Sequence, residues 1–505
     1  MTSASPTSPA DDRSPAASPA TAEAIPGAEA IPAAGEAEHG ALGAVKSYDI
    51  RGLVGSELTE PLVTALGAGF ADELELAGKP VVIGHDMRAS SPGFAAAFAR
   101  GARQRGADVV HIGLCSTDET YFASGSRDAA SAMFTASHNP AAYNGIKLSR
   151  PGARALSLET GLAAIRDRAA GYLDEGIPAL GRLGDEASED VLAAYASYLR
   201  ELVDLSGAKP MKVVVDAANG MGGLTVPAVL GTAAGLPALP IEIIPMYFEL
   251  DGTFPNHEAN PLDPRNLVHL QNAVIDHGAD LGLAFDGDAD RCFVVDELGE
   301  PVSPSAVTAI VTIREVERAR GAGESDITVI HNLITSRVVP ETIERVGATA
   351  VRTRVGHSLI KAEMARTGAV FGGEHSAHYY FRDFWGADNG MLAAMHVLAE
   401  AGASDRAMSA LASEHTPYAA SGEINSTVDD VPAAFARIRD AFADRADFDE
   451  LDGVTVQGLT GRDEPFWWFS VRPSNTEPLL RLNVEADDEA TMAAIRDEVL
   501  ALIRA

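Results

Sequence analysis

The chain has 505 residues, 46% of them hydrophobic, and a formal charge of −33 from 39 basic and 72 acidic side chains. That length exceeds one ordinary core, so three or four domains are expected. The acidic balance argues against a polyanionic partner such as nucleic acid or an acidic membrane. Small phosphorylated ligands stay open, because a few converging Arg, Lys and N–H groups act within the roughly 8–10 Å that salt leaves unscreened.

Residues 1–40 are rich in Ala, Pro, Ser and Glu with almost no aromatics, which predicts a disordered tail that cannot bury enough apolar area to order itself. No basic n-region precedes an apolar stretch there, so no secretory signal is expected, and no apolar run is long enough to span a bilayer. From about Val45, strand-like runs alternate with Ala-rich helical stretches. Lys79–Gly84 reads as a strand, Gly93–Arg103 as the helix after it and Ala107–Gly113 as the next strand, which implies βαβ units and a largely parallel sheet. Leu156–Leu202 is mainly helical. Met211–Asp216 opens a second α/β unit and Asp326–Ile330 a third. The last stretch, with strands at 422–427, 454–457 and 466–471 and helices near 431–444 and 487–503, reads as α+β. The expected fold is α/β: three similar domains with mixed sheets (41–190, 191–303, 304–417) and a C-terminal α+β domain (418–505), although no clean sequence repeat is visible. The two cysteines, Cys115 and Cys292, have no paired spacing, which points to a reducing, cytoplasmic setting.

Four segments carry candidate chemistry. In Phe134-Thr-Ala-Ser-His-Asn-Pro140, Ser137 follows an apolar strand, so it falls at a strand's C-terminal end, the edge where open α/β sheets bind ligands. A serine hydroxyl needs a base or metal to become reactive; His138 and Lys147 are near enough in sequence to position phosphate or move protons. In Asp286-Gly-Asp-Ala-Asp-Arg291, alternate carboxylates follow the strand-like Leu281–Phe285 and share one face of an extended backbone. Three convergent carboxylates repel unless a divalent cation compensates, and an all-oxygen set favours magnesium, calcium or manganese. An EF-hand also begins Asp-x-Asp-x-Asp, but its sixth position, a glycine in that motif, is Arg291, and the next residues read as a buried strand. A solvated acidic turn is the remaining structural alternative. Arg291 is placed to bind a phosphate oxygen that also contacts the metal. In Gly372-Gly-Glu-His-Ser-Ala-His378, Glu374 and Ser376 are suited to gripping adjacent sugar hydroxyls. In Arg472-Pro-Ser-Asn-Thr-Glu-Pro478, Arg, Ser, Asn and Thr crowd one Pro-bounded loop as phosphate donors, or form a capped turn.

Together these motifs resemble the α-D-phosphohexomutases, most closely the phosphomannomutase/phosphoglucomutase branch, from about Val45 to the C-terminus. Tyr48-Asp-Ile-Arg-Gly52 is similar to a fifth motif, whose arginine faces the active site in that family. The resemblance implies four domains around a central cleft, each contributing one loop. It implies reversible interconversion of a hexose 1-phosphate and 6-phosphate, with Ser137 carrying a phosphate and a hexose 1,6-bisphosphate both as bound intermediate and as activator. Mg2+ would sit on Asp286, Asp288, Asp290 and an oxygen of phosphorylated Ser137. Arg51 and Lys147, assisted by His138 and His357, would be the acid/base and electrostatic groups, with Tyr48 in the substrate site. Glu374 and Ser376 would hold O3 and O4, which exchange places when the sugar flips. Arg472, Ser474, Asn475 and Thr476 would grip the phosphate that is not reacting. The expected partners are small-molecule sugar phosphates, and the chain is expected as a monomer or homodimer.

The match departs from its relatives in places. Ala377 stands where they usually have Gly, and alanine disfavours positive φ. Asp388-Asn-Gly390 replaces the more usual Asp-Gly or Asp-Asp-Gly. His331–Ser336 lacks a lysine that some relatives use for phosphate, for which Arg354 is a candidate replacement. Mannose and/or glucose phosphate is the expected substrate. Thr135 and Asn475 argue against the phosphoglucosamine branch. A catalytically silent sugar-phosphate-binding protein and a metal-dependent phosphatase are the rivals from other classes.

Overall fold

A computed structural model describes residues 30–34, 36–459, 465–473 and 479–505, without the side chains of 36–39 and 357–358. Three successive sheets repeat one plan. In the first, Asp108–Leu114, Pro80–His85 and Ala130–Phe134 run parallel, and Tyr143–Arg150 returns antiparallel beside Ala130–Phe134. In the second, Ile241–Met246, Met211–Asp216 and Leu281–Phe285 run parallel and Cys292–Asp296 returns antiparallel. In the third the same roles fall to Thr349–Thr353, Thr328–Asn332 and Phe371–Gly373, with Tyr379–Phe381 returning. Each return is a tight connection, and those connections are 135–142, 286–291 and 374–378, the three loops singled out by their residues. The repeat that sequence identity hides is therefore a repeat of topology.

The last unit is an antiparallel sheet of Ala446–Asp449, Val454–Gly458, Trp467–Pro473 and Leu479–Ala486, backed by the helices Val431–Phe442 and Glu489–Arg504. The Trp467–Pro473 and Leu479–Ala486 pair flanks the fourth loop, whose residues 474–478 lie outside the described residues.

Apolar packing divides the molecule unequally. One continuous buried cluster runs from Tyr121 and Phe122 of the first unit through Val214 and Phe285 of the second to Phe371 and Met391 of the third. At its seam Trp385 stacks on Tyr198 at 5.3 Å, and a Cβ on Gly125 would lie 2.1 Å from the Trp385 ring, so only glycine admits that ring. The last unit keeps its own cluster around Phe442, Phe469 and Val499. It touches the third through polar contacts, among them Arg352 with Asp449 and Val355 N–H on Asp452 at 3.4 Å. Three units thus share a core, while the fourth meets the third through ion pairs and the Phe466 ring, which lies 4.1 Å under the Arg337 guanidinium.

The span expected as a tail needs a correction at its C-terminal side. Residues 1–29 lie outside the described residues, but Ile31 exchanges two backbone hydrogen bonds with Ile177, at 3.0 and 2.8 Å, and a 3₁₀ segment Glu36–Ala44 buries Ala41 and Ala44. Composition missed this because two isoleucines and a few alanines suffice when a preformed surface supplies the partner. A chain starting at Val45 should melt below one starting at Ala30, by about 2–4 °C per kcal/mol lost from a unit of this size; equal melting temperatures would show the contacts to be inert.

Candidate active site

The repeated topology delivers the loops to one place. Ser137 has φ +49°, a left-handed backbone that costs a serine roughly 1–2 kcal/mol. That turn aims the hydroxyl at the second unit, where Oγ donates to Asp286 Oδ2 at 2.7 Å. The approach is backbone to backbone: a Cβ on Gly287 would stand 2.4 Å from the Ser137 carbonyl. Ser137 is 5% exposed, and Asp286, Asp288 and Asp290 are at most 1% exposed. The three carboxylates bring oxygens within 4.8 Å of one another, but through a turn that passes Ala289 at φ +62° and not along the extended backbone the spacing suggested.

Cations partly neutralise this cluster. Arg291 donates to Asp286 Oδ2 from Nε at 2.9 Å and Nη2 at 2.8 Å, and from Nη2 to His138 Nδ1 at 2.6 Å. Nδ1 therefore accepts, which puts the imidazole proton on Nε2. Burial, reinforced by Arg291, holds His138 well below its usual range, so the ring is neutral. Ser137 Oγ also lies 3.2 Å from this Nδ1, but its one proton serves Asp286. Lys147 comes from the returning strand Tyr143–Arg150 and bridges Asp288 Oδ2 at 2.7 Å and Asp290 Oδ2. Burial works against its charge, but these two carboxylates raise it well above the usual lysine range. Asp288 is held below the carboxylate range because Lys147 outweighs its burial. Thr117, at the start of the helix Thr117–Arg127, donates Oγ1–H to the same Asp288 Oδ2 at 2.6 Å.

What remains is a donor set aimed at a cation. Asp288 Oδ1 and Asp290 Oδ1 are buried and accept no hydrogen bond from a described residue. An orphaned buried carboxylate oxygen costs more than a kcal/mol, and a hard divalent ion beside Ser137 Oγ removes that cost. The residues present fit such an ion.

Arg51 lies at the mouth of the serine loop, donating to Asn139 Oδ1 at 2.7 Å and Asp49 Oδ2 at 2.6 Å. Tyr48 reaches across to the third unit, its hydroxyl 3.2 Å from where a Cβ on Gly356 would stand. His357 opens the helix His357–Thr367 directly after Gly356; its side chain is outside the described set. Arg354 is exposed in the same connection.

The third loop is strung on Glu374. Its Oε1 accepts from Asn332 Nδ2 at 3.2 Å and Gly356 N–H at 3.3 Å, and Oε2 from the Tyr380 hydroxyl at 2.9 Å. Ser376 Oγ is 3.1 Å from His378 Nδ1, and His378 Nε2 lies 3.9 Å from Asp290 Oδ1, which joins the sugar loop to the carboxylate cluster. Ala377 does adopt positive φ, at +63°, so the turn that relatives make with glycine is made here against alanine's preference. Arg472 is 6% exposed at the end of its strand and gives Nη2–H to Glu423 at 3.1 Å. Ser474, Asn475 and Thr476 lie outside the described residues.

Sequence reading missed four residues here: Thr117, Asn332, Tyr380 and Arg88, which is 2% exposed beneath the serine loop. None sits in a motif with metal, nucleophile or phosphate chemistry, and only the packing of distant segments brings them to the site.

A buried serine facing a carboxylate cluster at the matching edges of successive α/β units is the arrangement of a multidomain α/β enzyme with its site between the units. The four domain models of phosphoglucomutase/phosphomannomutase match in order, α/β/α domain I over residues 43–172, II over 193–299, III over 304–418 and the C-terminal domain over 423–502. The chain belongs to this family of phosphohexomutases, enzymes of the isomerase class in carbohydrate metabolism. It is 40% identical over 468 residues to proteins named phosphohexose mutases of Xanthomonas campestris, covering 92% of this chain and 99% of that one. It is 36% identical to a phosphomannomutase of Salmonella montevideo, covering 91% and 98%. A phosphoglucomutase/phosphomannomutase family protein of Burkholderia thailandensis has the same fold, with TM-score 0.80 at 27% identity over 92% of this chain and 97% of that one.

Replacing Ala377 by Gly should relieve the left-handed strain and raise stability by about 1 kcal/mol. An unchanged denaturant midpoint would mean the loop already offsets that strain.

Proposed function

We propose that this phosphohexomutase interconverts hexose 1-phosphate and hexose 6-phosphate, mannose and/or glucose, with phosphorylated Ser137 as phosphate carrier. The observation that carries the reading is the pair of orphaned buried oxygens, Asp288 Oδ1 and Asp290 Oδ1, beside a serine whose Oγ is already 2.7 Å from Asp286. A serine nucleophile for acyl transfer would need a free imidazole and an oxyanion hole; here the imidazole's Nδ1 is taken by Arg291. Mg2+ held by Asp286, Asp288, Asp290 and the serine oxygen would supply charge neutralisation for the transferring phosphoryl group.

The chain's own groups divide the remaining work. Phosphoserine gives its phosphoryl group to a sugar hydroxyl, leaving a hexose 1,6-bisphosphate, and the other phosphate returns to Ser137 after the sugar turns over. Arg51, beside the loop mouth, and Lys147, in the carboxylate cluster, balance the charge that moves. A lysine held by two carboxylates is cationic, so Lys147 serves as acid and electrostatic partner for the group that moves. Glu374, oriented by Asn332 and Tyr380, and Ser376 grip the sugar's O3 and O4 in either orientation. Arg472 with Ser474, Asn475 and Thr476 holds the idle phosphate, Tyr48 contributes to the substrate site, and His138 and His357 assist Arg51 and Lys147. Closure of the last unit, which has a separate core, excludes water that would hydrolyse the phosphoserine. A grip on O3 and O4 does not contact C2, the only carbon at which mannose and glucose differ, which supports acceptance of both. Both cysteines are free and buried, with thiols pushed up by burial, in keeping with a reducing cytoplasm.

The deciding measurement is a coupled assay on mannose, glucose and glucosamine 1-phosphates, with a catalytic amount of hexose 1,6-bisphosphate. Ser137→Ala should keep its fold and lose about three or more orders of magnitude in turnover, the scale of removing a covalent-catalysis nucleophile; near-parental rates would sink the phosphoserine route, and release of inorganic phosphate in place of isomer would favour a phosphatase. Asp288→Asn should lose activity and magnesium dependence together. Thr117→Val keeps the side-chain volume but removes a charge-assisted hydrogen bond from Asp288, so the magnesium needed for half-maximal rate should rise about tenfold; an unmoved magnesium titration would detach Thr117 from the cluster.

A further inference from the structure

We propose that Arg88 is the positioning residue of the Ser137 loop, acting on the rate of phosphoryl transfer and not on sugar binding. The inference rests on the phosphoserine reading and adds a component outside every motif used for it.

The geometry is unusual for an arginine that touches neither the sugar loop nor a surface. All five of its N–H groups are spent inward. Nη2 donates to the carbonyls of Ser137 at 2.9 Å and Asn139 at 2.7 Å, and Nη1 to those of Pro140 and Tyr143, both at 3.0 Å. Nε donates to Asp86 Oδ2 at 3.2 Å. Asp86 is itself fully buried and fixed from below: its Oδ1 accepts from Ser91 Oγ at 2.6 Å and from the Arg88 N–H at 3.0 Å. Its own N–H donates to the Phe134 carbonyl at the end of the strand that leads into the loop. A ring from the second unit, Phe254, lies with its centroid 5.1 Å from the guanidinium carbon.

Four carbonyls between residues 137 and 143 therefore converge on one planar cation. The Ser137 and Asn139 carbonyls lie outside any strand, the Pro140 carbonyl also accepts from the Tyr143 N–H at 3.0 Å, and Tyr143 opens the returning strand, so the guanidinium ties the loop to the start of that strand. The fork fixes the strained φ of Ser137 at the same time. Ser137 Oγ must meet the sugar twice in each turnover, once loaded and once empty. Because Arg88 grips backbone, its hold is the same in both states, and the serine side chain moves on a base that does not reorganise. Displacing a reacting group by about 1 Å costs on the order of a hundredfold in rate. Lysine would keep the charge but offers three donors from a single point, so it cannot serve five acceptors. A role in charge alone survives Arg88→Lys; a role in positioning does not.

The test loads the full-length protein with hexose 1,6-bisphosphate, counts phosphate on Ser137 by intact mass, and then measures steady-state rates. Arg88→Lys should still accept phosphate, keep KM for the hexose 1-phosphate within about threefold, and lose about a hundredfold in kcat. Its phosphoserine should also hydrolyse faster in the absence of sugar than the parent's. Should Arg88→Lys not fold, Asp86→Asn is read by the same measurements. It leaves the guanidinium in place, removes the negative charge and one of the two oxygens that hold Arg88 and Ser91, and should lower kcat about tenfold at unchanged KM. A kcat within threefold of the parent in the folded variant, or a loss confined to KM, overturns the proposal. A parent protein that never carries phosphate on Ser137 overturns the phosphoserine reading instead, which separates the two failures.

Discussion

Three aspartate carboxylates are packed within 4.8 Å of one another, out of reach of water, beside a serine hydroxyl. Like charges so placed are among the most costly arrangements a protein interior can hold, and much of the surrounding architecture answers that cost. Lys147 arrives on the returning strand of the first unit to bridge two of the carboxylates, and Arg291 closes on the third. Two buried oxygens remain orphaned. The arrangement is stable enough to persist and incomplete enough to want a divalent ion, which suits a site where two negative groups, a phosphate and a leaving oxygen, must be brought together.

The same constraint explains why the units pack as they do. The carboxylates come from the second unit, and the serine, Lys147 and Thr117 from the first. His378, from the third, lies at the edge of the cluster. Such a cluster tolerates little movement among its contributors, and these three units share one apolar cluster pinned at Trp385. The first unit also has a second cluster around Phe70, Phe98 and Phe134, whereas the fourth, which carries Arg472, is not part of the shared cluster and has only its own around Phe442, Phe469 and Val499. Rigidity lies where charges are opposed at short range, and freedom where a phosphate must enter and leave.

Left-handed backbone at non-glycine residues shapes the loops of the site. Ser137 and Ala377 both adopt left-handed backbone without being glycine. At Ser137 the turn aims the hydroxyl at Asp286, and the carbonyl it exposes is taken up by Arg88. At Ala377 the turn keeps Glu374, Ser376 and His378 on the cleft side, with Glu374 N–H bonded to the His378 carbonyl across it. Each strained residue is flanked by hydrogen bonds that only that conformation permits.

By itself the sequence determined the α/β class, the order of the units and the strands before the serine and carboxylate loops, because alternation, strand length and chemically distinctive side chains are local properties. It grouped Asp286, Asp288 and Asp290 correctly, but as one face of an extended backbone, whereas a turn brings them together. The tertiary structure decided what local pattern cannot carry: that the three loops occupy one topological position in three sheets of unlike sequence, that Ile31 and the 36–44 segment belong to the first unit, and that Lys147 lies among the carboxylates. It also recruited Arg88, Thr117, Asn332 and Tyr380, which look ordinary in sequence. Tyr380 meets Glu374 six residues back across a hairpin, while the other three have partners tens of residues away or more, for Thr117 and Asp288 a separation of 171. A hydrogen bond over that distance is set by how domains pack, and no short window of residues records it.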